Sequence, residues 1–160
     1  VAITREDLIS QSVYDFVKAG VVARGYDAGK VEFRESFPYT VEEEQLSRSL
    51  VCVGFSFDNG GTPGELGSNL RLREYTIELF IFGKDQGWGR NLASAVKFTL
   101  DADGRIPVLN YADLAKPVID YLVVESVASE RQVIPDPEPY QENVWVVTAK
   151  VTDEYYADAV

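Results

Sequence analysis

The reading of the fold turns on Leu70 to Leu100, LRLREYTIELFIFGKDQGWGRNLASAVKFTL. From Tyr75 to Phe82 the residues alternate, with Tyr75, Ile77, Leu79 and Ile81 on one side and Glu74, Thr76 and Glu78 on the other. Successive side chains of an extended chain point to opposite faces, so a period of two marks a half-buried strand with the apolar set inward. Phe80 and Phe82 interrupt the polar side near its end, where both faces should be covered. Gly83 stops the run. After Lys84 to Gly89 the period becomes helical, because Leu92, Ala95, Val96, Thr99 and Leu100 fall on one stripe. A helix is therefore expected over Arg90 to Leu100, packed beside the strand that feeds it. No residue in this unit is an obvious catalyst.

Outward from this unit, Gln45 to Asp58 reads as a second strand, apolar on both faces through Leu50, Val51, Cys52, Val53, Phe55 and Phe57, which suits a central position. Asp58-Asn59-Gly60-Gly61 is a strong turn signal, extended by Pro63, Gly64 and Gly67 into a mobile loop. Strands joined by such a loop should pair antiparallel. Val118 to Ser129 and Val144 to Tyr155 are two further strands, the last with Trp145, Val147, Ala149 and Val151 on one side and a wetter side opposite. Arg105 to Pro117 is expected to be irregular. Pro135, Pro137 and Pro139 force an extended connector. Near the start, Thr4 with Asp7 three residues later can cap a helix over Arg5 to Arg24, burying Leu8, Ile9, Val13, Phe16 and Val17 and ending at Gly20 or Gly25. Val31 to Glu35 allows one short strand, before Phe37-Pro38 disrupts pairing or confines it to an edge. The expectation is a single α+β domain over residues 1–160, an antiparallel sheet of about four main strands with two helices packed on it.

A chain of 160 residues can bury roughly 70% of the surface it exposes when unfolded, so no disulfide or metal is needed to hold it. Fifteen basic against 26 acidic residues leave a formal charge of −11, which argues against a domain that grips nucleic-acid phosphates. Cys52 is the single cysteine, read as a buried structural thiol. The chain has no histidine, which removes the commonest general base and the commonest metal ligand together. No apolar run approaches the roughly 20 residues that span a bilayer, and Val1 to Arg5 lacks the pattern of a signal peptide. A soluble protein made in a cytoplasm is expected.

Motifs of chemistry are weak. Gly87-Trp88-Gly89 before a helix has the look of a phosphate-binding turn, but Leu92 stands where a third glycine belongs. Gly60 to Gly67 lacks the Lys-Ser or Lys-Thr of a P-loop. Asp101 and Asp103 suggest a calcium loop until Gly104 follows directly and no later Glu ligand appears, so they read as a turn. Glu74 and Glu78 point the same way in a strand and lie roughly 13 Å apart by strand rise, too far for a retaining glycosidase pair. A solvated or subunit-facing side accounts for them. Glu42-Glu43-Glu44 reads as a solvated run, or alternatively as an arm toward a neighbouring subunit.

The chain resembles the tail terminator proteins of long-tailed bacteriophages, especially the siphophages of actinobacteria. The segments that carry the likeness are Ala2 to Ile9, Tyr75 to Gly83, Arg90 to Phe98, Pro117 to Asp120 and Val151 to Tyr155. The resemblance implies a non-enzymatic structural subunit of the virion neck, made in the host bacterium. It would assemble as a ring, typically a hexamer, on the tail tube, stop tube growth and offer the surface where a head-completion or connector protein docks. It implies no cofactor, no metal and no membrane, and DNA passes its channel without specific binding. Candidate subunit or docking contacts are Glu42, Glu43, Glu44, Gly60, Gly61, Gly64 and Gly67. Val31 to Glu44 and Gly60 to Asn69 carry too few apolar residues to order themselves alone, so they are expected to lie against a neighbour. Competing readings are a head-completion or stopper protein, a tail-tube subunit, or an enzyme or small-ligand binder on a similar sheet.

Overall fold

The computed structural model describes residues 4–27, 29–34, 49–57, 62–63, 70–137 and 143–156. In chain order the elements are α1 (Arg5–Ala23), β1 (Val31–Arg34), β2 (Ser49–Phe57), β3 (Thr62–Pro63), β4 (Leu70–Phe82), α2 (Gln86–Asp101), β5 (Arg105–Leu109), β6 (Val118–Gln132) and β7 (Val144–Tyr156). They form an α+β domain with a seven-stranded sheet ordered β1-β2-β4-β7-β6-β5, and β3 pairs with β4 beside that path. The four long strands β2, β4, β7 and β6 are contiguous and antiparallel. Leu50 of β2 faces Phe82 of β4 and Phe57 faces Tyr75. On the other side of β4, Leu79 sits opposite Val147 and Ile77 opposite Ala149.

The alternation of β4 decides the layering. Tyr75, Ile77, Leu79 and Ile81 are fully buried, and Val147, Ala149 and Val151 of β7 continue the same face. Over this face lie α1, through Leu8, Ile9, Val13, Val17 and Val21, and α2, through Leu92, Ala93, Val96 and Leu100. Phe82 is buried on the opposite face while Phe80 is half-buried, so the outer end of β4 is covered on both sides as its sequence suggested.

Both helix starts have identifiable causes. Asp7 N–H donates to the Thr4 hydroxyl and Thr4 N–H to the Asp7 carboxylate, a reciprocal capping box. At its other end α1 runs through Gly20 and closes after Ala23. Gly25 N–H reaches Val22 O at 3.0 Å and Tyr26 N–H reaches Val21 O at 3.3 Å, with Gly25 at φ +97°. That is a Schellman motif, and only glycine takes its left-handed position without a Cβ penalty.

Several sequence expectations need correction. The four main strands are antiparallel as expected, and to them is added the edge strand β1, which runs parallel to β2 with Val31 opposite Ser49. The intervening residues 35–48 supply the dozen or more that a parallel crossover needs. Val31 to Arg34 thus pairs with β2 of its own chain. Arg105 to Leu109 is a strand, with Ile106 and Val108 buried on the helix side. Pro107 hid that alternation, and it is tolerated because β5 is an edge strand. Thr62 and Pro63, expected in a loop, pair with Leu72 and Arg71. There β3 takes up the side of β4 beyond the reach of β2, whose pairing stops at Tyr75.

The second helix starts at Gln86 rather than Arg90, because the Asp85 side chain accepts Trp88 N–H at 2.8 Å and caps it. The glycines of that first turn are there for contact. A Cβ on Gly83 would lie 2.5 Å from Gly89 Cα, so the corner between β4 and α2 closes only with two bare backbones. Cys52 lies in β2 opposite Phe80 in register, but the reading of it as a buried thiol falls on a side chain outside the described residues.

Candidate functional site

Three places gather polar or aromatic groups. The first is a charge cluster at the start of α1. Arg5 Nε and Nη2 donate to the two carboxylate oxygens of Asp153, each at 2.7 Å, and Nη2 also reaches Asp120 Oδ2 at 2.5 Å. Asp153 is fully buried and Arg5 nearly so. Beside them Arg73, opposite Asp153 in the sheet, donates to Glu6 Oε1 at 2.6 Å. The Tyr155 ring lies under both guanidinium groups, 4.8 Å from Arg5 and 5.2 Å from Arg73.

Burial by itself would lower the Arg5 pKa, but the hydrogen bonds and charge of Asp153, then of Asp120, hold it above the ordinary arginine value. Asp120 moves the other way from a paired acid. Desolvation first, then the neighbouring Asp153, push its carboxyl above the usual range despite Arg5. The two directions agree once the geometry is considered, because Asp153 takes two of the three bonds and most of the cation's field. Burial pushes the Tyr75 phenol beneath up to about 12. The cluster's ionic groups are pinned in fixed pairs, so it clamps α1 to β6 and β7 and offers no free base.

The second place is an open hollow of about 470 Å³ between the end of α1 and the start of α2, lined by Gly25, Tyr26, Lys30, Asp85, Gly87, Trp88 and Asn91. Tyr26 meets Trp88 edge to face at 5.6 Å, and Lys84 lies 4.4 Å over the Trp88 ring. This is where the phosphate-turn reading of Gly87-Trp88-Gly89 would act. The Asp85 carboxylate already occupies the positive end of the helix, where a bound phosphate would have to sit.

The third place is the part of the sheet face turned away from the helices around Glu74 and Glu78, on which no described element packs. Glu74 and Glu78 stand exposed on it. Lys150, opposite Thr76, lies diagonally between them. The register slips between Val124 and Ser126, and the extra residue, Glu125, accepts a 2.9 Å hydrogen bond from the Thr152 hydroxyl. Glu74, Glu125, Lys150 and Thr152 line a shallow hollow of about 220 Å³, below the roughly 300 Å³ at which small-molecule sites begin. Val118, Ile119, Tyr121 and Val123 of β6 are exposed nearby, and Arg105 lies 4.4 Å over the Tyr121 ring.

No protein-family profile matches the chain, and no curated protein does. Among the described residues no His, Cys, Asp and Glu group could hold a metal ion, and no helix is long and apolar enough to cross a membrane. The seven contact candidates Glu42, Glu43, Glu44, Gly60, Gly61, Gly64 and Gly67 all lie outside the described residues. Glu74 and Glu78, read as a solvated or subunit-facing side, stand exposed on the face away from the helices. Sequence reasoning missed the Arg5 cluster, whose partners lie 115 and 148 residues away.

Proposed function

We propose that this chain is a virion assembly subunit of the tail-terminator kind, a ring former that caps the tail tube, ends its growth and presents the surface on which the head connector docks. One observation supports the reading above the others. Three segments of the likeness, widely separated in sequence, meet in the Arg5–Asp120–Asp153 cluster, while Tyr75 to Gly83 supplies most of β4 and the corner after it and Arg90 to Phe98 most of α2. The likeness therefore falls on the interlocked frame of the fold rather than on scattered surface positions. An open strand face suits a subunit made to meet neighbours, since contiguous exposed apolar positions on small domains mark interaction sites.

Negative-stain electron microscopy of the purified chain, alone and with tail tubes, tests the proposal. The expected result is a single closed ring at one tube end and no further elongation. Long tubes formed by the chain alone would make it a tube subunit instead. Failure to bind tubes, with binding to the head connector only, would favour a stopper.

A further inference from the structure

The described surface divides by charge in a way that the fold does not use. The outward stripe of α2 carries Arg90, Asn91, Ser94, Lys97 and Phe98, all exposed, with Phe98 64% accessible. Arg90 and Lys97 have no ion-pair partner among the described residues. On the opposite side of the two-layer domain, the open sheet face carries Glu74, Glu78, Glu130 and Glu154 around the cation Lys150, and these four acids also lack ion pairs among the described residues. Tyr121 and Val123, 41% and 52% accessible, supply apolar surface beside them. In a chain of net charge −11, this stripe sets two cations without ion pairs among the described residues on the same helix surface as an exposed Phe. Against an acidic face of a second copy such a surface avoids like-charge repulsion.

We infer that the α2 stripe of one copy docks on the open sheet face of a second copy, Arg90 and Lys97 over the Glu74 and Glu78 rows and Phe98 against Val123 and Tyr121. Because α2 buries its other side against the sheet, donor and acceptor surfaces point in opposite directions. The contact is therefore heterologous, and repetition closes a ring when the turn per copy is a simple fraction of a full rotation. At 16 residues α2 is ~24 Å long, enough to cross several strands spaced ~4.8 Å apart. The inference rests on the ring reading above and gives it a subunit contact.

Sedimentation velocity and native mass spectrometry of the full chain at about 0.15 M salt test it, with circular dichroism to verify folding. Arg90→Glu with Lys97→Glu should lose the assembled species, and so should Glu74→Lys with Glu78→Lys. Mixing the two variants should restore assembly in a 1:1 ratio, and the four substitutions in one chain should restore it alone. As a readout independent of charge, a mixture of Phe98→Cys and Val123→Cys chains should form a disulfide between those two positions. Assembly unchanged by either reversal, a wild-type chain that stays monomeric, or a folded fourfold variant that stays monomeric would overturn the contact. A fourfold variant that forms rings but does not cap tubes, like a wild-type ring that does not, would count against the terminator reading and leave the contact standing.

Discussion

At the scale of single residues, burial and charge pairing set the consequences. Leu79 is fully buried between β4 and the helices, so Leu79→Ala should cost about 2 to 5 kcal/mol from lost burial and the cavity left behind. Glu78, next to it but on the open face, should cost under about 0.5 kcal/mol when changed to Ala in the unassembled chain. Urea denaturation of both variants checks the pair, and a Leu79→Ala protein that loses no stability would mean that the face assignment is reversed. Arg5→Ala should cost about 3 to 5 kcal/mol near neutral pH, because it leaves Asp120 and Asp153 together without their cation. The pH dependence has a definite sign. Asp120 already has a folded-state pKa above its unfolded one, and removing Arg5 raises it further. The protonated form then favours the native state, so the variant keeps stability at acid pH and loses it as pH rises through the folded-state pKa. Its deficit against the parent should be smaller at about pH 4 than at about pH 7. A deficit independent of pH would show that the two carboxylates do not share one site.

At the scale of elements, corners and caps decide where strands and helices begin. Asp85 caps the start of α2 with its side chain, so Asp85→Ala should cost about 0.5 to 2 kcal/mol. The same change would bare the helix's positive end, the one condition under which the Gly87-Trp88-Gly89 turn would resemble an anion site. Ser12 ties α1 to the edge strand β5, donating to Leu8 O at 2.6 Å and accepting Leu109 N–H at 2.9 Å. Ser12→Ala leaves a largely covered N–H without its acceptor and should cost about 1 to 3 kcal/mol. Hydrogen exchange should show the loss at Leu109 before the central strands are affected. Unchanged protection there would mean that β5 is held by its pairing with β6 alone.

At the scale of the whole molecule, the acid excess has to be placed. If the chain rings a channel through which DNA slides, a basic lumen would hold the duplex through many phosphate contacts, whereas an acidic one repels it over about a Debye length of 8 Å. The purified chain should therefore show no measurable binding to duplex DNA at physiological salt, and the lumen of its ring should carry more Asp and Glu than Lys and Arg. Fluorescence anisotropy with labelled duplex reads the first and a map of the assembled ring the second. Tight binding, or a lumen lined by Lys and Arg, would remove the proposed role of the charge.

What the sequence determined by itself was most of what depends on local periodicity and local polar chemistry, with the Asp85 cap of α2 the local signal it overlooked. The alternation in Tyr75 to Ile81 specified a strand and its buried side, the stripe from Leu92 to Leu100 specified a helix, and Thr4 with Asp7 specified where α1 begins. These are nearest-neighbour effects, readable because one strand or helix repeat spans only a few residues. Tertiary structure alone decided the parallel pairing of β1 with β2, the strand hidden by Pro107 and the reason for Gly83. It also decided the meeting of Arg5 with Asp120 and Asp153, and the open face that holds Glu74, Glu78 and Lys150 together. Each of these is a contact between residues far apart in the chain, fixed by which elements can bury their apolar faces at once, and no local pattern encodes that choice.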